Sequence, residues 1–522
     1  MTIKLFPMTI KLFPRMGIVL FVLVLVLGPA AAQPQPLGFV LDTEAFRKVE
    51  AEAIAQDLRT IGINVEVRVW ERTALLDRIR AGERQAYLTD WGSAYFDPFD
   101  LAVPKLKTKD RGNYSFYSNA EVDRLLETGS TGTDEKQRRE AYFRVQEILF
   151  RDAPWIFGYY KDEVQAASKA IENWEPSMDS RINLHDVRIV KGSVIVVALN
   201  TNSIITLDPA MHRDRKTETV IRNIFDGLVT RTTKDRVVPE LATEWKQTSP
   251  TTYEFKLRKG VVFHNGDPFT ADDVVFTFER VLKERAIGGQ SSPRRGLLGP
   301  LTKVEKVDDT TVRFVLEKPF PVFLQALVHF QVVPKRYIEQ VGDKAFAERP
   351  VGTGPFRFVG GTLDSRIVLQ RFDRYYGGSP ALRPVGLAPA AGAIFRMLPE
   401  PATRVAALKT GEVHIIEDVP IDLVPDLVRD PNIQVKTTQG TRVYAVELNN
   451  SRPPFNDVRV RRALNYAVNW DAILKSVYRG YARRLATAFL PSGFGFNANL
   501  KPYPYDPGRA KQLLREAGYA VK

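Results

Sequence analysis

Residue types that could carry out catalysis occur in the sequence, but they are not spaced for it. The histidines stand at positions 185, 212, 264, 329 and 414, and no His-x-x-x-His or His-Glu-x-x-His spacing occurs, so we expect no zinc site. The chain has no cysteine, which excludes a thiolate metal site, a cysteine nucleophile and a disulfide. Neither a Gly-x-Ser-x-Gly elbow nor a Gly-x-x-x-x-Gly-Lys loop is present. We therefore predict no catalytic residue, no metal and no cofactor.

Two further motifs have simpler structural interpretations. Asp97 and Asp100 could act as paired carboxylates in hydrolysis, but Asp97-Pro98 is more simply a turn. Gly352-Thr353-Gly354 could cradle a phosphate, but the following Pro355 removes a backbone donor, so turn punctuation is favoured.

The composition describes a basic, globular chain of more than one domain. Hydrophobic residues make up 44% of the 522 positions and charged residues 26%, and the formal net charge is +13. A chain of this length is expected to divide into two or three domains, because single cores stop growing near roughly 250 to 300 residues. Both signs of charge are interspersed, so short basic stretches are interpreted as solvated faces and no nucleic-acid partner is expected.

The first residues have the pattern of a secretory signal peptide. Three basic residues precede an apolar run over residues 16–27, which is followed by Ala30-Ala31-Ala32. The alternative of an uncleaved membrane anchor is weaker, because spanning a bilayer takes about 20 apolar residues. We predict a signal peptide over residues 1–32 and export of the remainder.

The elements after the signal predict an α/β domain with a largely parallel sheet. Strands are predicted over residues 37–41, 63–69 and 86–89, and helices over about 43–61 and 72–81, closed by Gly62 and Gly82. The predicted buried face of the first helix comprises Phe46, Val49, Ala53, Ile54, Leu58 and Ile61.

The two ends of the chain complement each other. Asp506-Pro507 predicts a helix start, the apolar stripe Ala510, Leu513, Leu514 and Ala517 follows, and Gly518 ends the helix. The chain thus stops after a helix that should feed a strand, and begins with a strand that lacks a preceding helix. We expect residues near 40 and near 515 to be neighbours in one layer.

Joined in that order, the ends resemble a passage in the extracellular solute-binding proteins of peptide-type ABC importers, the dipeptide- and oligopeptide-binding family (solute-binding family 5). Other blocks extend the resemblance over nearly the whole mature chain: residues 90–92 with 97–98, 239–245, 253–264, 265–274, 352–356, 407–412 and 454–461. Their order is rotated, since the family places the equivalent of 192–522 first and of 37–190 last. We interpret this as a circular permutation, which is tolerated when termini lie close together. A fused tail and head of two tandem copies, or a misassembled reading frame, is the alternative.

The resemblance implies a two-lobed periplasmic-binding-protein fold of the α/β class with an accessory α+β domain. On this sequence one lobe would comprise a core at residues 161–231 and 331–440 with the accessory domain at 232–330. The other lobe would be assembled from 33–160 and 441–522. The crossovers near Tyr160 and Thr441 would form the hinge.

Several residues are predicted to bind ligand, each with a structural alternative. The resemblance places Trp91 and Gly92 in the ligand cleft, where Tyr95 follows, although aromatic residues at a strand end are equally often core. Tyr159 and Tyr160 could line the pocket wall or pack within a strand.

Further candidates come from the other lobe and from the second crossover. Asn202, within Thr201-Asn202-Ser203, could donate to ligand or belong to a capped turn. Arg442 and Tyr444 would lie beside the cleft, unless strand alternation sends Arg442 to solvent.

Ala94 departs from the family pattern. Peptide-binding members carry an aspartate just before the tyrosine of Trp-Gly-x-Asp-Tyr, and its carboxylate pairs with the α-ammonium of the peptide. A buried ammonium without a carboxylate would incur a desolvation cost of several kcal/mol. Arg213, Arg215 and Arg442, if they face the cleft, would favour an anionic group. We therefore expect a peptide-like cargo that is anionic, neutral or N-blocked.

The expected function is capture and delivery by a monomeric periplasmic protein. A small solute would bind between the lobes and be passed to an inner-membrane ABC permease. A secreted hydrolase on the same fold, or a receptor presenting ligand to a sensor, is the alternative.

Overall fold

The structure is a computed structural model that describes residues 35–234, 236–382 and 385–522, so the predicted signal peptide lies outside the described residues. The chain is described in three segments, a first segment of residues 35–168, a middle segment of residues 169–440 and a last segment of residues 441–522. The first segment contains β1 (Gly38–Glu44), α1 (Lys48–Thr60), β2 (Asn64–Trp70), α2 (Arg72–Arg80), β3 (Ala86–Gly92), α3 (Pro98–Leu106), α4 (Ala120–Thr131), α5 (Glu135–Asp152) and β4 (Trp155–Ser168). The middle segment contains β5 (Ile171–Glu172), β6 (Arg188–Ile189), β7 (Val194–Leu199), α6 (Arg215–Ile224), β8 (Val229–Arg231), β9 (Val237–Pro239), β10 (Ala242–Ser249), β11 (Thr252–Leu257), α7 (Ala271–Leu282), β12 (Leu301–Asp308), β13 (Thr311–Leu316), α8 (Phe323–Leu327), α9 (Lys335–Glu348), β14 (Phe356–Thr362), β15 (Arg366–Arg371), β16 (Gly392–Met397), α10 (Pro401–Thr410), β17 (Ile415–Ile416), α11 (Val424–Arg429) and β18 (Ile433–Gln439). The last segment contains β19 (Arg442–Leu448), α12 (Val458–Ala467), α13 (Trp470–Tyr478), β20 (Ala482–Arg484) and α14 (Pro507–Glu516).

The N-terminal strands form the predicted parallel unit. β1 pairs in parallel with β2 and with β3, so the β-α-β-α-β order is confirmed. The first helix begins later than predicted, because β1 runs to Glu44 and a short 3-10 turn (Ala45–Arg47) follows it.

The predicted buried face of this helix was therefore partly wrong. Phe46 and Val49 are 73% and 74% exposed, while Ala51, Ile54, Ala55 and Leu58 are buried. Phe46 lies in the 3-10 turn, where helical periodicity does not apply, and Val49 lies off the buried stripe of α1.

The two ends of the chain pack together, as predicted. The Ala520 amide donates to the Gln35 carbonyl at 3.0 Å, and Pro36 and Ala520 form a parallel bridge. One hydrophobic cluster contains Leu37 and Leu41 together with Leu513 and Leu514 of α14. The predicted N-cap is also observed, since the Asp506 carboxylate accepts from the Arg509 amide at 2.8 Å.

A single twelve-stranded sheet runs through all three segments. Its main path is β14-β15-β16-β7-β17-β4-β19-β3-β1-β2, and β18 and β20 also pair with β4. The long strand β4 pairs with β19 and β20 at one end and with β17 and β18 at the other. β4 and the passage from β18 to β19 therefore join the two halves of the sheet.

A second, antiparallel sheet lies within residues 232–330. Its order is β10-β11-β13-β12, and Phe255 and Phe314 of this sheet pack with Phe278 of α7 in one buried cluster. α7 begins with a capping box between Thr270 and Asp273. None of the helices described here is long and apolar enough to cross a membrane.

Candidate ligand-binding cavity

A cavity of about 590 Å³ lies where β3, β4 and β19 meet the start of α6. Its walls come from the first, middle and last segments, and most of the lining side chains are polar or charged. The lining residues are Gly92, Ser93, Ala94, Lys161, Glu163, Ser180, Arg181, Arg213, Asp214, Arg215, Lys216, Glu218, Arg294, Leu297, His329, Asp418, Arg442 and Tyr444.

Arg442 pairs with a carboxylate from the neighbouring strand. It pairs with Asp90, which also pairs with Arg47 from the turn after β1. Burial would raise the pKa of Asp90, but Arg442 and Arg47 outweigh it and hold that pKa below its ordinary value. Asp90 is therefore ionised and compensates part of the charge of both guanidinium groups.

The buried carboxylate of Glu218 organises the wall contributed by α6. It accepts from Arg181 at 2.8 Å and lies 3.6 Å from Arg294. Burial would raise the pKa of Glu218, but the charges of Arg181 and Arg294 hold it well below its usual range.

His329 joins this wall to the loop after β3 as a neutral ring. Burial lowers the pKa of His329 to about 4. A neutral ring carries a single N–H. Nδ1 lies 2.9 Å from the Glu218 carboxylate and 3.1 Å from Arg181, and Nε2 lies 3.2 Å from the Ala94 carbonyl, so only one of Glu218 and Ala94 can accept a hydrogen bond from the ring.

Lys216 is paired, but Arg215 beside it is not. The Lys216 ammonium contacts Glu417 at 2.6 Å and Asp418 at 2.8 Å. The Arg215 guanidinium donates to the Thr441 hydroxyl at 2.6 Å, to the Ser93 carbonyl at 3.2 Å and to the Ser180 hydroxyl at 3.3 Å. Among the described residues no carboxylate lies within ion-pair distance of Arg215.

The pKa of Arg215 agrees with this isolation. Burial, followed by the charges of Arg442 and Arg181, lowers the pKa of Arg215 from its ordinary value. Arg213 is exposed at the rim, and burial and Arg111 lower its pKa. An arginine remains cationic despite such a shift, so both positions present positive charge to the cavity.

The loop after β3 is anchored to residues of the middle segment. The Tyr95 hydroxyl donates to the Leu297 carbonyl at 2.7 Å, and Arg231 donates to the Ala94 carbonyl at 3.1 Å. Asp100 holds the turn from inside, accepting from the Ser93 hydroxyl at 2.7 Å and from the Tyr95 amide at 3.0 Å.

Asp97 and Asp100, considered above as paired carboxylates for hydrolysis, both have local structural roles. Asp97 caps α3 by accepting from the Phe99 amide at 3.0 Å, and it accepts from Arg138 at 2.7 Å. Burial raises the pKa of Asp100 to about 6. In the described part of the chain there is also no group of three or more acidic or histidine side chains arranged to hold a metal.

The structure brings several of the predicted site residues together. Gly92, Ala94, Arg213, Arg442 and Tyr444 all line the cavity. A side chain at Gly92 would meet its neighbours, because a Cβ there would lie 3.3 Å from Cγ of Arg442 and 3.6 Å from Nη2 of Arg215. The absence of a side chain at position 92 therefore leaves room for both arginines.

Other predicted site residues lie outside this lining. The Trp91 indole donates to the Asp100 carbonyl at 2.8 Å, and the ring packs against a cluster that includes Tyr160. Successive side chains of a strand point to opposite faces, so Gly92 and Lys161 face the cavity while Trp91 and Tyr160 face away. Tyr159 stacks on Tyr444 with ring centroids 4.9 Å apart.

Tyr95 and Asn202 also lie outside the lining of this cavity. Tyr95 is 3% exposed within the hydrophobic cluster of the second sheet. Asn202 is exposed in a turn that the Thr201 hydroxyl closes by donating to the Ser203 carbonyl at 2.6 Å. The capped turn is therefore the interpretation that fits residues 201–203.

Sequence reasoning missed much of the charged lining, including Lys161, Glu163, Arg181, Lys216, Glu218, Arg294 and Asp418. One signal was available in α6. Its first turn carries Arg215 and Lys216 together with Glu218, although the helix dipole disfavours cations at this end. Cations at that position indicate a requirement other than helix stability.

Comparisons of this chain with a family model, with curated proteins and with solved structures agree on one protein family. Residues 236–522 match the model of the bacterial extracellular solute-binding proteins, family 5. The dipeptide-binding protein of Escherichia coli K12 is 34% identical over 305 residues, covering 54% of this chain and 55% of the relative. The glutathione-binding protein GsiB of Pectobacterium atrosepticum is 31% identical over 334 residues, covering 63% and 62%.

A solved structure supports the same assignment. The periplasmic binding protein DppA of Helicobacter pylori, in complex with the peptide STSA, matches with a TM-score of 0.52 at 31% identity, covering 63% of this chain and 66% of that one. The chain thus spans between about half and two thirds of the length of these proteins. The matched residues include most of the middle segment and all of the last, so the chain belongs to the family 5 bacterial extracellular solute-binding proteins.

Proposed function

We propose that the chain is the periplasmic substrate-binding component of a peptide-type ABC importer. As a monomer it captures a small solute between two lobes and delivers it to an inner-membrane permease. The observation that carries this proposal is the cavity of about 590 Å³ whose walls come from both of the proposed lobes. Ligand sites of small-molecule binding proteins have this size and this position between domains.

The proposed lobes comprise residues 161–440 and residues 33–160 with 441–522. Separate hydrophobic clusters support this division. One cluster draws only on residues 37–88, 156–159 and 444–514, with Leu88 and Trp470 among its buried members. Another draws only on residues 167–415, with Phe225 and Phe395 buried in it. The second sheet within 232–330 is the proposed accessory domain.

The proposed order of segments is a circular permutation of the family. The contact between Gln35 and Ala520 supports it, because it places the start of the predicted mature chain against the C-terminal residues. The family model matches residues 236–522, which lie within the part of the chain that this proposal places first.

Closure in this proposal follows from contacts that span the lobes. Arg215 of one lobe donates to Ser93 and Thr441 of the other, and Tyr95 donates to Leu297. A ligand that contacts both walls binds the closed arrangement more tightly and so shifts the population toward it. The closed form is then the one presented to the permease.

Native mass spectrometry of the protein isolated from the periplasm tests the function. We expect one non-covalently bound solute per chain, and a smaller radius of gyration in solution scattering when that solute is added back. Conversion of the solute by the isolated protein would contradict the proposal, as would a protein that neither carries nor binds any solute. A denatured and refolded sample, freed of solute, is the control.

A further inference from the structure

We infer that the cargo is a carboxylic acid without a required amine, and that its carboxylate binds at Arg215, with Arg213 at the rim. The inference rests on the proposed function and names the substrate class of the same cavity.

Arg215 is a built but incomplete anion site. Its guanidinium is positioned by three neutral oxygens, on Ser93, Ser180 and Thr441, so in this arrangement its orientation is set by uncharged partners. A guanidinium so placed offers its remaining N–H groups to a planar oxyanion such as a carboxylate.

Arg442 and Arg181, whose charges act on Arg215, are already paired with the carboxylates around them. Arg442 shares Asp90 with Arg47, and Arg181 is held by Asp179 and Glu218. Both arginines repel the Arg215 guanidinium. A ligand anion would relieve this repulsion, whereas a ligand cation would increase it.

Two acidic side chains of the lining, Glu163 and Asp214, oppose the binding of an anion. Glu163 has no ion pair among the described residues, and its charge stabilises Arg215 and Arg442 from a longer distance. Asp214 caps α6 by accepting from the Thr217 amide at 2.8 Å. Against these two acids stand Arg213, Arg215 and Lys161, so the groups without an ion-pair partner retain an excess of positive charge.

Position 94 offers no carboxylate to an ammonium. Ala94 lines the same cavity as Arg213 and Arg294, and its carbonyl already accepts from Arg231 at 3.1 Å. An α-ammonium at this position would therefore compete with a guanidinium for that carbonyl and find no carboxylate on residue 94.

The test compares four probes by isothermal titration calorimetry: N-acetyl-alanyl-alanine, its C-terminal amide, unmodified alanyl-alanine, and glutarate. We expect at least one of the two amine-free acids to bind, and the amide to bind at least tenfold more weakly than N-acetyl-alanyl-alanine. Arg215→Gln should weaken acid binding at least tenfold, as loss of a charged hydrogen bond does. Arg429→Gln, on an exposed side chain of α11, is the matched control and should change nothing.

Two further variants keep the test decisive. Arg213→Gln, at the exposed rim, should weaken acid binding several-fold even if Arg215→Gln fails to fold. Glu163→Gln should leave acid binding unchanged or strengthen it, since it removes a negative charge. A loss of binding on Glu163→Gln would show that this carboxylate holds a cationic group of the ligand and would overturn the inference.

Three other outcomes would also overturn it: equal binding of acid and amide, tighter binding of unmodified alanyl-alanine than of its acetylated form, or no binding of either amine-free acid. Failure of the inference differs from failure of the function. A neutral or zwitterionic solute found with the native protein would reject the carboxylic acid and leave solute capture intact.

Discussion

Replacing Asp90 by asparagine removes a carboxylate that serves two arginines at once. Asp90 is 9% exposed and Arg47 6%, whereas Arg442 is 41% exposed. Breaking a buried ion pair costs about 3–5 kcal/mol, because a charge is left uncompensated in a poorly hydrated place. Arg442 keeps part of its hydration, so we expect Asp90→Asn to lower the free energy of unfolding by about 3 kcal/mol.

The same substitution should act in the opposite direction on ligand affinity. Without Asp90, Arg442 presents an uncompensated charge to the cavity, so an acidic probe such as glutarate should bind several-fold more tightly. A variant that is less stable without ligand and binds an acid better would separate the structural role of Asp90 from its electrostatic effect on the site.

The dependence on pH follows from the lowered pKa of Asp90. Its ordinary value is 3.8, and the pKa in the folded protein lies below that. A depressed acid stabilises the fold above its ordinary pKa and loses this contribution as the pH falls through the folded value. The difference in stability between wild type and Asp90→Asn should therefore be full at neutral pH and shrink in acid below about pH 4.

Urea unfolding, followed by tryptophan fluorescence, measures this difference, and a double-mutant cycle with Arg47→Met isolates the pair. The double variant should be more stable than the sum of the single effects predicts, by about 0.5–3 kcal/mol. An Asp90→Asn protein within about 0.5 kcal/mol of wild type at neutral pH would show that the Asp90 carboxylate does not stabilise the fold as described.

Three smaller predictions concern other parts of the fold. Tyr95→Phe removes one hydrogen bond and should cost about 0.5–1.5 kcal/mol in urea unfolding; no change would show that the loop is not anchored by it. Leu514→Ala, in the fully buried cluster that joins the chain ends, should cost about 2–5 kcal/mol, while the exposed Phe46→Ser should change thermal stability little; similar losses for both would contradict the packing described. Burial, followed by the charge of Asp226, raises the pKa of Glu240 to about 8, so the folded state binds more protons than the unfolded state and stability falls as the pH rises from about 4.5 to 8. Glu240→Gln should flatten that slope, and an unaltered pH profile would argue against a protonated Glu240.

Local signals in the sequence were sufficient for the elements near both ends of the chain. Asp506-Pro507 and Gly62 mark helix boundaries by capping and by a left-handed backbone conformation, which depend on near neighbours only. The 3-10 turn after β1 was missed because its hydrophobic spacing imitates a helical face. Helical periodicity alone does not distinguish a helix that begins at Thr43 from one that begins at Lys48.

The electrostatics of the cavity could not be predicted in the same way. The carboxylate that pairs with Arg442 stands 352 positions away at Asp90, and Lys216 pairs with Glu417 and Asp418. Pairing at such separations depends on the folded arrangement of strands. The isolation of Arg215 is therefore a property of the tertiary structure, whereas its unusual place at the start of a helix is visible in the sequence.

The continuous sheet restricts how the molecule can move. Only β4 and the passage from β18 to β19 join the two halves of the sheet within the described residues, and they lie side by side. Gly440 stands in that passage, where a Cβ would lie 2.4 Å from the Lys161 carbonyl. Any rotation of one half against the other would have to deform these two adjacent strands together.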